Sequence, residues 1–263
     1  QVLEEPVPGK LRFSSDMIRQ LMLRRTPRAD LAELHRKAAE AIEFHFPATI
    51  SEMALQLGYH WEEAGDGVRA ADYLTQAARQ AKQRSALKEA EHLYRKAIHL
   101  SDRTAPSTLS LQCEFVRTVL ILTGQFKAAQ EQYEATLAEA RRAGDRRSEA
   151  EALLGLSEVV RIFGRLADSL QDAADALAIS RALDDRKLEA AGFRALGKCR
   201  MEQGDLDGAM QYYESALEIH RAVGDRISEA SVSAHIARVR SNQGRMNERS
   251  EEHTSELQSR FGI

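Results

Sequence analysis

A forty-residue period constrains this chain more than any other feature. Gly124, Gly164, Gly204 and Gly244 are spaced forty apart, and so are Asp145, Asp185 and Asp225, and Glu149, Glu189 and Glu229. A fixed period of this size marks an array of small supersecondary units, each burying its apolar face against its neighbours. Each period carries two helical patterns. In the copy around residue 200, Phe193, Leu196, Gly197 and Met201 recur at helical spacing. Gly204-Asp205 then interrupts the run, and Ala209, Tyr213, Ala216 and Leu217 share one face of a second helix.

The punctuation has local causes. A glycine just past a helix end adopts the left-handed conformation without a Cβ penalty. The linker Asp caps the next helix, and the Glu four residues later lies in its first turn, where the helix dipole favours negative charge. Asp184 stands where the other linkers have glycine, a poorer residue for positive φ. The small-large-small frame Ala209, Tyr213, Ala216 reappears as Ala129, Tyr133, Thr136, as Ser169, Ala173, Ala176 and, offset by thirty-nine, as Ala90, Tyr94, Ala97. Small residues let helices approach closely while the ring fills the space between pairs.

These positions resemble the tetratricopeptide repeat in a long variant of about forty residues. Leu196-Gly197, Gly204, Ala209, Tyr213 and Ala216 carry the resemblance, which covers roughly residues 69–247. The chain departs from the family in lacking the first-helix Trp and in having Arg200 where an aromatic is usual. The resemblance implies an all-α, right-handed superhelical solenoid of antiparallel helix pairs, at about 70–100, 109–142, 149–182 and 189–222, with a lone first helix at about 229–243.

Ahead of the repeats, Leu11-Arg-Phe reads as a short strand entering a helix capped by Ser14 or Ser15, and Thr26-Pro27 breaks that helix. Leu31, Leu34, Ala38, Ala39 and Ile42 mark another helix, and residues 51–64, with Leu57-Gly58, Trp61 and Gly65-Asp66, repeat the later turn grammar. Residues 70–83 could pair with either neighbour. The expected organisation is an N-terminal helical segment at 1–47 belonging to the end of an upstream domain, a connecting helix at 48–68, and the solenoid at 69–248. The succession of Leu34-His35-Arg36, Tyr59-His60-Trp61 and the helix pairs is similar to the junction ahead of the repeats in large bacterial signalling ATPases of the STAND class and cyclase-linked regulators. Residues 249–263 read as the translation of a sequencing adapter, and are expected to be a non-native tail carrying no function.

Composition narrows the function classes. A formal net charge of -3 gives no electrostatic footprint for nucleic acid or an anionic membrane. Cys113 and Cys199 stand far apart without C-x-x-C spacing, which disfavours a disulfide framework or zinc site and fits a cytoplasmic setting. No phosphate loop, dinucleotide fingerprint or zinc-protease motif occurs, so no catalytic residue, metal or cofactor is expected. His92, His99 and His60 read as ordinary helix-face residues ahead of any metal or acid-base role. In the family the inner face falls near the second, fifth, ninth and twelfth positions of each first helix. Carried over, those positions include Glu158, Arg161, Arg194, Lys198, Arg238 and Asn242, a set that leans basic and suits an acidic segment or carboxylate. The expected partner is a protein or peptide. The competing reading is that these are solvated helix faces held by pairs three and four residues apart.

Overall fold

A computed structural model describes residues 3–7, 10–102 and 105–261, with side chains from 14 to 102 except 19, and from 105 to 244. The chain falls into two compact units, Gln1–Arg103 and Thr104–Ile263.

The first unit opens with an antiparallel ribbon of β1 (Leu3–Val7) and β2 (Lys10–Phe13), in which Leu3 faces Phe13 and Glu4 faces Arg12. β2 is the expected strand; β1 is additional. α1 (Asp16–Arg25) is capped by Ser15, whose hydroxyl accepts from the Met17 amide at 3.2 Å. Thr26 ends α1, and Pro27 stands at the N-cap of α2 (Arg28–His45). A 3-10 turn at Pro47–Thr49 leads to α3 (Ala54–Glu63), α4 (Gly67–Gln83) and α5 (Leu87–Leu100). α4 packs against both α3 and α5, which settles the open pairing in favour of both neighbours. The core joins Ala39, Leu57, Trp61 and Ala70. Glu43 Oε1 accepts from Trp61 Nε1 and from the Tyr73 hydroxyl, each at 2.8 Å, so the polar tips of both rings are satisfied where the rings are packed.

The second unit is a stack of helix pairs. α6 (Pro106–Phe115) runs into a π-helical turn at Val116–Leu120 and is followed by α7 (Phe126–Ala143). α8 (Arg146–Ile162) pairs with α9 (Leu166–Ala182), α10 (Arg186–Glu202) with α11 (Leu206–Ala222), and α12 (Arg226–Phe261) packs on α11. First helices of successive pairs also touch, α6 with α8 and α8 with α10, and the second helices are not brought together to that extent. Within this unit the first helices therefore line the inner face.

The periodic residues do what their spacing implies. At the turn after α8, the Gly164 amide donates to the Arg161 carbonyl and the Arg165 amide to the Val160 carbonyl, with Gly164 at φ 77°. Asp184 makes the same turn after α9 at φ 53°. Asp145, Asp185 and Asp225 accept from the amides of Ser148, Leu188 and Ser228. The linker glutamates do more than meet a dipole. Arg141 reaches from the end of α7 to Glu149 at 3.0 Å, Arg181 to Glu189 at 3.1 Å and Arg221 to Glu229 at 2.8 Å, and Arg146 and Arg186 add a second cation to the first two. Glu149 and Glu189 are buried, so the paired cations offset the loss of water.

The lone first helix differs from expectation. Gly244 lies inside α12, which continues to Phe261. The following segment is rich in Glu and Arg and contains no proline, a composition that propagates a helix already begun. Its side chains from 245 onward, and with them the expected tail at 249–263, lie outside the described side chains.

Candidate functional site

The residue at the centre of each second helix, Tyr133, Ala173 or Tyr213, shapes the inner face. Tyr133 of α7 is buried against Gly155 of α8, where a Cβ would stand 2.1 Å from the ring. Forty residues on, Ala195 replaces the glycine and packs against the cluster around Ala173. Forty further, His235 stacks on Tyr213 with ring centroids 5.2 Å apart and planes 9° apart. The three contacts thus differ in size, from a ring on a bare backbone to two small side chains to a stacked pair of rings.

Above Tyr133 a hollow of about 270 Å³ opens between three consecutive first helices. Its apolar lining includes Ile121, Leu154 and Leu188, with Tyr133 and Cys113. Burial pushes the Cys113 thiol up to about 12 and raises the Tyr133 phenol, so both stay protonated. Arg117, Glu151, Glu158, Arg194 and Lys198 supply the charges.

Those charges divide into a closed network and two open cations. Lys198 Nζ reaches Glu158 Oε2 at 2.7 Å, Arg161 reaches Glu158 Oε1 at 2.8 Å, and Arg161 also pairs with Glu202. Two cations and two carboxylates thus neutralise one another across α8 and α10. Burial works to raise the Glu158 carboxyl, but Lys198 and Arg161 outweigh it and hold it below the usual range. Burial lowers Lys198, and with Arg194 and Arg161 nearby the single Glu158 partner does not restore it. Glu151 accepts from the Ser110 hydroxyl at 2.8 Å and lies 3.4 Å from Arg147. Arg117 and Arg194 alone among these lining charges make no ion pair or hydrogen bond within the described residues.

Of the six expected positions, the structure brings four together: Glu158, Arg194 and Lys198 line the hollow, and Arg161 joins through its ion pairs. Arg238 is exposed on α12 and donates to His235 Nδ1 at 2.9 Å, and Asn242 is half-buried one turn on; neither lines the hollow. Arg117, Cys113, Tyr133 and Glu151 were not expected. Arg117 sits on the π-helical turn, which advances the helix phase by one residue and hides it from a pattern of 3.6.

Elsewhere, His92 and His99 are both exposed, and His60 contacts His35 with Nδ1 atoms 2.8 Å apart. Among the described residues no group of three or more His, Cys, Asp or Glu side chains is placed to hold a metal, and no helix is long and apolar enough to cross a membrane. Cys113 and Cys199 are both free and buried.

No family model matches the chain, and no curated protein does. Solved structures do. A Rap protein complexed with Competence and Sporulation Factor is 12% identical, matches over 92% of this chain and 69% of its own, and superposes with a TM-score of 0.64. A Podosopora anserina structure of the kinesin light chain type, with nearly identical TPR-like repeats, is 19% identical over 72% of this chain and 94% of its own, with a TM-score of 0.51. A signal transduction ATPase with numerous domains (STAND) from Pyrococcus horikoshii, with a tetratricopeptide repeat sensor, is 16% identical, covers 89% of this chain and 46% of its own, and has a TM-score of 0.50. At these identities the likeness establishes the fold, a TPR-like stack of helix pairs.

Proposed function

We propose that this chain is a non-catalytic interaction module that takes a protein or peptide segment along the first-helix face of its second unit. The observation that carries this reading is the hollow shared by three consecutive first helices, with an apolar floor and two arginines left without partners. Arg117 is exposed and Arg194 half-buried, so both are open to a partner arriving from solvent, whereas the Glu158 network is already closed. The wider role in this proposal is the sensor region of a larger bacterial signal-transduction or transcription regulator, working in the cytoplasm. The Rap protein complexed with its factor and the ATPase with a tetratricopeptide repeat sensor support the sensing part of it.

Peptide selection tests the binding reading. Peptides selected from a random displayed library on the full chain should compete with one another and should lose binding to Ala191→Trp, which fills the hollow from α10. Failure to select any peptide, or equal binding to the variant, would remove the reading.

A second reading is favoured by the STAND likeness: the chain is the regulatory arm of an ATPase or nucleotide cyclase whose catalytic domains lie outside it. Nucleotide hydrolysis or cyclisation by this chain itself would contradict the non-catalytic assignment. Stimulation or repression of an attached catalytic domain on peptide binding would favour the regulatory arm.

A further inference from the structure

We infer that the hollow over Tyr133 is an anchor for one acidic side chain of a bound peptide, held between Arg117 and Arg194, with a neighbouring aliphatic side chain seated on its floor. The inference rests on the interaction reading above and names the chemistry that the face selects.

The charge balance leads to the acid. Three cations and two carboxylates line the hollow, and both carboxylates already have cationic partners. Lys198 is committed to Glu158, so the uncompensated positive charge belongs to Arg117 and Arg194. Guanidinium groups recognise carboxylates through paired, charge-assisted hydrogen bonds, which are stronger than neutral ones. The two arginines come from different first helices, α6 with its π-turn and α10, with α8 between them. A carboxylate received between them is therefore read by two repeats at once.

The floor leads to the aliphatic neighbour. Ile121, Leu154 and Leu188 offer apolar surface, and Cys113 remains a neutral thiol. About 270 Å³ is below the usual range for drug-sized ligands and matches one or two side chains. Gly155 contributes by adding no side chain, since a Cβ there would collide with the Tyr133 ring. Within the second unit α12 follows α10 beyond the hollow, which suits a continuous chain, and the acid is accordingly assigned to a side chain within the segment.

The test uses the full chain and a library of nonapeptides with acetylated N-termini and amidated C-termini, each position scanned in turn. A matched set carries free C-terminal carboxylates. The expected result is enrichment of Asp or Glu beside Leu, Ile or Met among blocked peptides, with at least tenfold weaker binding to Arg117→Ala and to Arg194→Ala. Arg165→Ala, which removes an exposed cation from the start of α9, should bind as the parent does. Neither test arginine has an internal partner to lose, and circular dichroism should show both variants folded. Binding without acidic preference, or a preference that survives both variants, would overturn the inference and leave the interaction reading standing. Binding only by peptides with a free terminus would overturn the assignment to a side chain. No binding in any arm would remove both the inference and the reading beneath it.

Discussion

Tyr133 and Gly155 form a contact with no room for a Cβ unless the ring shifts: an added Cβ would lie 2.1 Å from Cζ. The glycine lies within α8 and the tyrosine within the preceding second helix, so one contact sets both the helix spacing and the depth of the hollow. Alanine is ordinarily the better helix former by about 1 kcal/mol. Here overpacking reverses that preference. Gly155→Ala should destabilise the chain by about 1–3 kcal/mol in urea unfolding, with the slope unchanged. Tyr133→Ala by itself costs more, since it empties a buried site. In that background the added Gly155→Ala change, which gives the pairing seen at Ala195 and Ala173, should cost less than it does alone. Stabilisation by the single variant would show that the ring is free to move aside.

Asp184 occupies the turn position that glycine fills after α7 and α11, and holds φ at 53°. A non-glycine residue pays a steric penalty there, and aspartate reduces it only in part. Asp184→Gly is expected to raise stability by roughly 0.5–1 kcal/mol. Asp184→Val, with a branched Cβ, should lower it by more than that. Equal stability for all three would mean that the turn relaxes to accommodate its occupant.

His235 gives the second unit an acid-sensitive element. Burial, then Lys198, Arg238 and Arg194, bring its pKa down to about 4, and its Nδ1 accepts from Arg238. The folded pKa is below the unfolded value of about 6.5, so the unfolded chain binds the proton more readily. The contribution is complete above pH 6.5 and is lost as pH falls towards 4. His220, also lowered by burial, acts in the same direction. Thermal unfolding should show stability falling over that window, by about 1 kcal/mol for His235 after allowance for its partial exposure. His235→Phe keeps an aromatic ring over Tyr213 and should flatten the slope; an unchanged slope would assign the sensitivity elsewhere.

Much of the fold was legible because its signals are local. Gly164, Gly204, Asp185 and Asp225 answer to backbone conformation at their own position, and Ala209, Tyr213 and Ala216 mark a buried face by spacing alone. The site was legible only where it kept the forty-residue phase, as at Glu158 and Lys198. Arg117 escaped because the π-turn shifts the phase of its helix. The difference between an open and a satisfied cation depends on pairs such as Arg161 with Glu202, which bridge separate first helices. β1 was missed because its strand character depends on pairing with β2, and Gly244 breaks no helix because a glycine in a strong helical context remains helical.

The central claim is that binding occurs on the first helices, and methyl-selective NMR of the full chain during titration with a selected peptide tests it most directly. The methyl signals of Ile121, Leu154 and Leu188 should shift, and those of Leu170 and Leu217 on the second helices should stay in place. Shifts confined to Leu170, Leu217 and their neighbours, with the hollow unaffected, would contradict the account.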